Sequence, residues 1–167
     1  MSNDIAKLFR QLTSGVYVIG VADGERRNAF TASSVMQVSF APLLVALTIG
    51  PDHESYELLR RGAVFGISVL RADQQPLAAH FGTQSGRTVD KLASVRWRAG
   101  ITGAPLLLDA LAHFDCRVLH EVAAGDHRLM IGRVVDGALL AADGPPLIYA
   151  QTGNLDNSAA LFPDSFD

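Results

Sequence analysis

Ala110-Leu-Ala-His-Phe-Asp-Cys-Arg-Val-Leu-His120, then Gly125-Asp126, then His127-Arg-Leu-Met-Ile-Gly-Arg-Val-Val135 settles the architecture. Successive side chains of an extended chain point to opposite faces. Residues 110–120 follow that period, with Ala110, Ala112, Phe114, Cys116 and Val118 on one face and His113, Asp115 and Arg117 on the other. Gly125-Asp126 is a turn signal. The segment from His127 runs back, so the spacing predicts a long antiparallel hairpin.

Further strands flank this hairpin. Val16–Val21 is short, β-branched and aromatic, and closes on Asp23-Gly24. Residues 28–40 read as a second extended stretch rich in small hydroxyl side chains, Leu43–Ile49 as a third strand and Val64–Leu70 as a fourth. Leu147–Ala150 reads as a last short one. Ile5, Leu8, Phe9 and Leu12 recur at helical spacing and predict a helix over 5–12. Residues 54–61, ending at Gly62, and 73–81, with Pro76 in the first turn where proline is tolerated, predict two more. Residues 82–95 are polar and read as loop, and the tail after Asp156 has no pattern. Strands follow strands without βαβ alternation. The expected fold is therefore mainly β, a closed or nearly closed antiparallel barrel with peripheral helices.

The chain has 167 residues, room for one domain over 1–167. Its 49% hydrophobic content places it among folded proteins, with a core large enough to need no staples. Fourteen Lys and Arg against seventeen Asp and Glu leave no basic surplus for a nucleic-acid backbone. The N-terminus lacks a signal-peptide layout and no apolar run approaches a membrane helix, so a cytoplasmic protein without membrane partners is expected.

Motifs for other chemistries are absent. There is no G-x-G-x-x-G and no phosphate loop, and in Gly82-Thr-Gln-Ser85-Gly86 the serine comes one place late for a nucleophile elbow. The five histidines show no zinc spacing, and no metal site is expected. The one cysteine, Cys116, has no disulfide partner and reads as a core thiol. Two features stay open. Asn28-Ala-Phe-Thr31-Ala32-Ser33-Ser34 is either a hydroxyl-rich edge strand facing water or a surface that a planar ligand can approach closely. Gly125-Asp126-His127 is either an ordinary turn or the bearer of a functional imidazole.

These features occur together, in order, with Thr13–Gly20, Val38–Leu44, Phe65–Leu70, Leu77–Gly82, Phe114–Val118, Ile131–Val134 and Pro146–Tyr149. That set resembles the flavin reductase-like family, whose members have an FMN-binding split β-barrel, antiparallel and Greek-key-like. The resemblance covers residues 10 to 150. It implies NAD(P)H-dependent reduction of FMN, or of FAD, by hydride transfer from NADH or NADPH. It also implies a homodimer, and a flavin-dependent monooxygenase partner that would receive reduced flavin. The alternative on the same barrel is a non-catalytic FMN-binding electron relay.

The resemblance further implies roles. Asn28 and the run Thr31, Ala32, Ser33 and Ser34 would cradle the flavin. His53 and Ser55 would reach its phosphate, Phe81 and Gly82 would lie along it, and Lys91 would reach the phosphate side. His127 would border the nicotinamide pocket as the catalytic residue. The chain departs from relatives in carrying Arg27-Asn28-Ala29-Phe30 where many have a glycine, and His53-Glu54-Ser55-Tyr56 where many have a serine- and threonine-rich run.

Overall fold

The computed structural model describes residues 4–141 and 143–166. In chain order its elements are α1 (Asp4–Phe9), β1 (Tyr17–Asp23), β2 (Arg26–Ala32), β3 (Val35–Ser39), β4 (Leu44–Ile49), α2 (Tyr56–Gly62), β5 (Val64–Val69), α3 (Gln75–Thr83), β6 (Trp97–Ala99), β7 (Pro105–Leu107), β8 (Ala112–Ala124) and β9 (His127–Leu139). One-turn 3-10 helices follow at Tyr149–Thr152 and Ser158–Leu161. No helix among the described residues is long and apolar enough to cross a membrane.

Both turn signals close two-residue hairpins. Asp23 lies opposite Arg26 and Ala124 opposite His127. Gly24 and Gly125 take φ of +59° and +60°, a backbone conformation that glycine adopts without a Cβ penalty. The strands join in one seven-stranded sheet, β2-β1-β5-β8-β9-β4-β3, antiparallel at every pairing. Its two edges, β2 and β3, are joined in sequence by Ser33-Ser34 alone. The three steps from Ala32 to Val35 span at most about 10 Å. The edges must therefore meet there, and the sheet curls into a barrel. β2 and β3 do not pair, so the barrel is split along that seam rather than closed.

Curling gives the sheet a buried inner face. Ile19, Val21, Phe30, Leu47, Phe65, Ile67, Cys116 and Met130 fill it, and Leu58 and Leu59 of α2 close one end. β1 is buried on both faces: Val18 points the other way and packs with Ala29, Ala78, Phe81, Leu92 and Leu147 beneath α3. The core reading of Cys116 holds, and burial pushes its thiol up to about 12. Gly20 and Gly66 let β7 cross close over β1 and β5. A Cβ at Gly20 would stand 2.1 Å from the Pro105 carbonyl oxygen, and one at Gly66 2.5 Å from Leu106.

Several sequence expectations are corrected. The 28–40 stretch is two strands broken at Ser33-Ser34, and the first helix ends at Phe9. Leu147–Ala150 is not a strand. Leu147 bonds Leu70 and Val16 through its backbone, Ile148 forms one isolated bridge, and a 3-10 turn then carries the chain away. The short β6–β7 hairpin, which no long periodicity announces, covers the His113/Asp115 face of β8. Both residues are buried, whereas Phe114 on the expected apolar face is 38% exposed. Asp115 accepts from the Thr102 N–H and hydroxyl, and Arg98 donates to His113 Nε2 at 3.0 Å. Asp115 and its neighbour Cys116 are both buried because the sheet is covered on both faces here: Cys116 lies in the barrel core and Asp115 beneath Thr102.

Candidate functional site

β2 is an edge strand, so its outer backbone groups are not consumed by a ladder. A trough runs along this edge. Its narrow middle is walled by Val16, Thr31, Ala32, Ser33, Gly82 and Tyr149. There the end of α3 comes against β2 so closely that a Cβ on Gly82 would lie 3.3 Å from Thr31. Through Ser33, Tyr149 and Asp156 the middle continues into a cavity of about 440 Å³ that includes Ser34, Thr48 and His127. On the other side of Gly82 lies a cavity of about 310 Å³ walled by His53, Thr83, Gln84, Ser85 and Arg87. Both larger cavities fall within the range of small-molecule sites.

Local contacts explain how the trough is held. Thr31 Oγ1 donates to the Ala78 carbonyl at 2.6 Å and ties β2 to α3. Thr48 Oγ1 donates to Ser34 Oγ at 2.6 Å across the seam. These two hydroxyls are used internally, which leaves recognition to backbone groups of 31–34 and to Ser33. His127 is exposed at the tip of the β8–β9 hairpin. Its Nδ1 lies 2.8 Å from Asp126 Oδ1, which orients the ring.

Asn28, Ser55 and Lys91 do come together, but round the carboxylate of Glu54. Asn28 Nδ2 donates to Ser55 Oγ at 2.9 Å and to Glu54 Oε1 at 3.2 Å. The Lys91 ammonium reaches Glu54 Oε1 at 3.4 Å and the Phe81 carbonyl at 3.3 Å. The Ser85 hydroxyl and the Gly86 and Arg87 N–H groups also donate to Glu54. Burial alone would raise the Glu54 carboxyl; the hydrogen bonds from Ser85, Gly86 and Asn28 and the Lys91 charge outweigh it and bring it down to about 2. Lys91 moves below its ordinary value because burial outweighs the neighbouring Glu54 charge. Its charge is therefore spent inside the protein rather than offered to a ligand.

Two more expected contacts are placed differently. Ser55 is fully buried, and its N–H donates to His53 Nδ1 at 3.1 Å. Phe81 has its ring in the core, so the α3 terminus meets the trough through Gly82 instead. His53 stays at the surface with its ring tilted against Phe30 at 4.6 Å. Its pKa is lowered, first by burial and then by Lys91 and Arg87, against an upward pull from Glu54. Arg87 is exposed beside it and is the guanidinium at that end of the trough.

Sequence reasoning did not single out the hub at Glu54 or the walls formed by Tyr149 and Asp156. Ser85 and Lys91 are 31 and 37 residues from Glu54, beyond the reach of any spacing argument. Among the described residues no cluster of His, Cys, Asp and Glu could hold a metal.

Known proteins share this fold. A family model described as "Flavin reductase like domain" matches residues 9–156. The "NADH-dependent FMN reductase AsuE2" of Streptomyces nodosus subsp. asukaensis is 36% identical over 142 residues, covering 83% of this chain and 75% of its own length. A "High molecular weight rubredoxin" of Moorella thermoacetica is 36% identical over 147 residues, 86% of this chain. This chain spans only 63% of that relative's length, and 26% of some others. Among solved structures, the NADH:FAD oxidoreductase SgcE6 of Streptomyces globisporus C-1027 superposes with a TM-score of 0.82 at 30% identity, covering 89% of this chain and 88% of its own. SgcE6 has also been solved in complex with NAD and FAD fragments. BorF, the flavin reductase component of a bacterial two-component tryptophan halogenase, superposes with a TM-score of 0.81 at 30% identity, covering 91% of this chain and 95% of its own. With the family match running through every strand of the split sheet, this chain belongs to the flavin reductase-like family.

Proposed function

We propose that this chain is an NADH-dependent flavin reductase, with FMN as the flavin and FAD as the alternative. The observation that carries the reading is the row of neighbouring cavities along the β2 edge, with His127 at one end and His53 and Arg87 at the other. Its residues fit a flat, polar-edged ring with an anionic tail. The middle is walled by Thr31, Ala32, Ser33 and Gly82 with Tyr149 beside them, and a guanidinium stands at each end, Arg87 near His53 and Arg10 in the cavity of His127. Bound flavin supplies the hydride-accepting chemistry, which belongs to the cofactor.

The protein's share is positioning. Backbone N–H groups around Ala32–Ser34 hold the polar ring edge and favour negative charge there. Arg87 and His53 receive the phosphate, in place of the buried Lys91 and Ser55. His127, oriented by Asp126, borders the cavity where the nicotinamide enters. The relatives named for NADH support NADH as the reductant, and the likeness to BorF supports release of reduced flavin to a separate oxygenase. The test is oxidation of NADH and of NADPH with and without added FMN. Flavin-dependent oxidation of NADH is expected, and flavin binding without oxidation of either nucleotide would turn the reading into the electron relay. His127→Ala should lower kcat about a hundredfold or more, the size of one positioned acid–base contribution, while the flavin Kd stays within about twofold. Equal loss of flavin binding would remove His127 from this role.

A homodimer is part of the proposal. Met36, Val38, Phe40 and Leu43 expose apolar surface along β3 and the turn after it, and Phe40 is 84% exposed. A second copy of the chain would cover that surface. Sedimentation equilibrium should give twice the chain mass, with Phe40→Asp shifting it toward the monomer; an unchanged mass in that variant would place the contact elsewhere.

A further inference from the structure

The family match ends at residue 156, yet the chain beyond it is tied down. The Tyr149 hydroxyl donates to the Asp156 carboxylate, 3.2 and 3.0 Å from its oxygens, and lies 2.6 Å from Ser158 Oγ. The Ser158 N–H caps the same carboxylate at 3.1 Å. The Phe162 ring packs on Phe9 of α1, centroids 5.2 Å apart. The Arg10 guanidinium lies 5.6 Å over the Tyr149 ring and donates to the Gly153 carbonyl. α1 and the tail thus form one clasp, though they stand at opposite ends of the sequence.

That clasp is one side of the cavity of about 440 Å³; Ser33, Ser34, Thr48 and His127 are the other. Tyr149 borders both this cavity and the narrow middle of the trough. The clasp side offers the apolar surfaces of Phe9, Leu12 and Phe162 together with the charged Arg10 and Asp156, and the facing side carries the hydroxyls of Ser33, Ser34 and Thr48. The apolar surfaces suit a flat ring, and the Ser33 hydroxyl opposite suits an amide or a sugar.

We propose that the tail segment 156–162, held against α1 by the Tyr149 latch, is the outer wall of the reductant pocket and sets its affinity for the dihydronicotinamide nucleotide. The inference rests on the reductase reading. Tyr149 is a positioning residue here, acting through Asp156 and Ser158. Tyr149→Phe deletes one hydroxyl and leaves the ring in place. It should raise KM for NADH about five- to tenfold, the size of a typical hydrogen bond, and by more than it weakens the flavin Kd. Phe162→Ala, which opens the clasp at its other point, should raise KM for NADH in the same way, and it carries the test if Tyr149→Phe does not fold. An unchanged KM for NADH in a folded variant overturns the proposal. So does a flavin Kd that weakens as much as KM, since that marks a merely structural role. A wild-type chain that binds flavin and oxidises no nucleotide overturns the reductase reading itself, a result the variants do not mimic.

Discussion

Glu54→Ala will destabilise the fold by about 3–5 kcal/mol, the cost of stranding one member of a buried ion pair. The side chains of Lys91 and Glu54 are 1% and 12% exposed. Without Glu54 the Lys91 ammonium keeps the Phe81 carbonyl and loses its counter-charge. Asn28, Ser85 and the N–H groups of Gly86 and Arg87 lose an acceptor as well. Because those groups hold residues 82–87 along the trough, flavin affinity should fall together with stability. Glu54→Ala combined with Lys91→Met should recover part of the loss, since no charge is then left buried alone. Urea unfolding of the two variants decides the matter; a single-variant loss below about 1 kcal/mol would mean that water already screens the pair.

The same carboxylate gives a pH signature. Its folded-state value is about 2, below the ordinary 4.5. A lowered carboxylate stabilises the fold above its unfolded value, and the contribution is lost as the pH falls through the folded one. Glu54 therefore contributes fully above pH ~4.5 and progressively less down to pH ~2, by at most about 3 kcal/mol. In Glu54→Gln the acid limb of the stability curve should flatten across that window. An unchanged limb would mean that other carboxylates govern acid unfolding.

Phe81→Ala should cost about 3–5 kcal/mol, the range for emptying a buried phenylalanine site. Its ring is 1% exposed and packs with Val18, Leu70, Ala78, Leu92 and Leu147. The family resemblance implies that Phe81 lies along the flavin, whereas the fold turns the ring inward, so the two ideas predict different measurements. Core packing predicts a large drop in the unfolding midpoint, with Phe81→Leu keeping flavin affinity within about twofold. A flavin contact predicts lost affinity with little change in stability. Should Phe81→Leu weaken flavin binding more than about tenfold at unchanged stability, the core assignment fails.

Local patterning made much of this legible before any coordinates. The alternation over 110–120, the glycine turns at 24 and 125 and the β-branched run at 16–21 each act within a few residues, and the corresponding hairpins form. Glycine at a positive φ and apolar residues at period two are demands of backbone sterics and of one buried face, so they appear in sequence directly. The ordered motifs carried the family for the same reason.

What the sequence by itself determined is the set of strands, their turns and the class of protein they build. Tertiary structure alone decided which polar residues face a ligand and which face one another. Glu54, Ser85 and Lys91 meet only because α2, α3 and the loop after it converge on β2, and that meeting turned Lys91 and Ser55 from expected ligand contacts into internal ones. Likewise β6–β7 buried His113 and Asp115, and the tail closed on α1 from the far end of the chain. Burial and charge pairing are set by distance in space. Groups tens of residues apart leave no periodic trace of one another in the sequence.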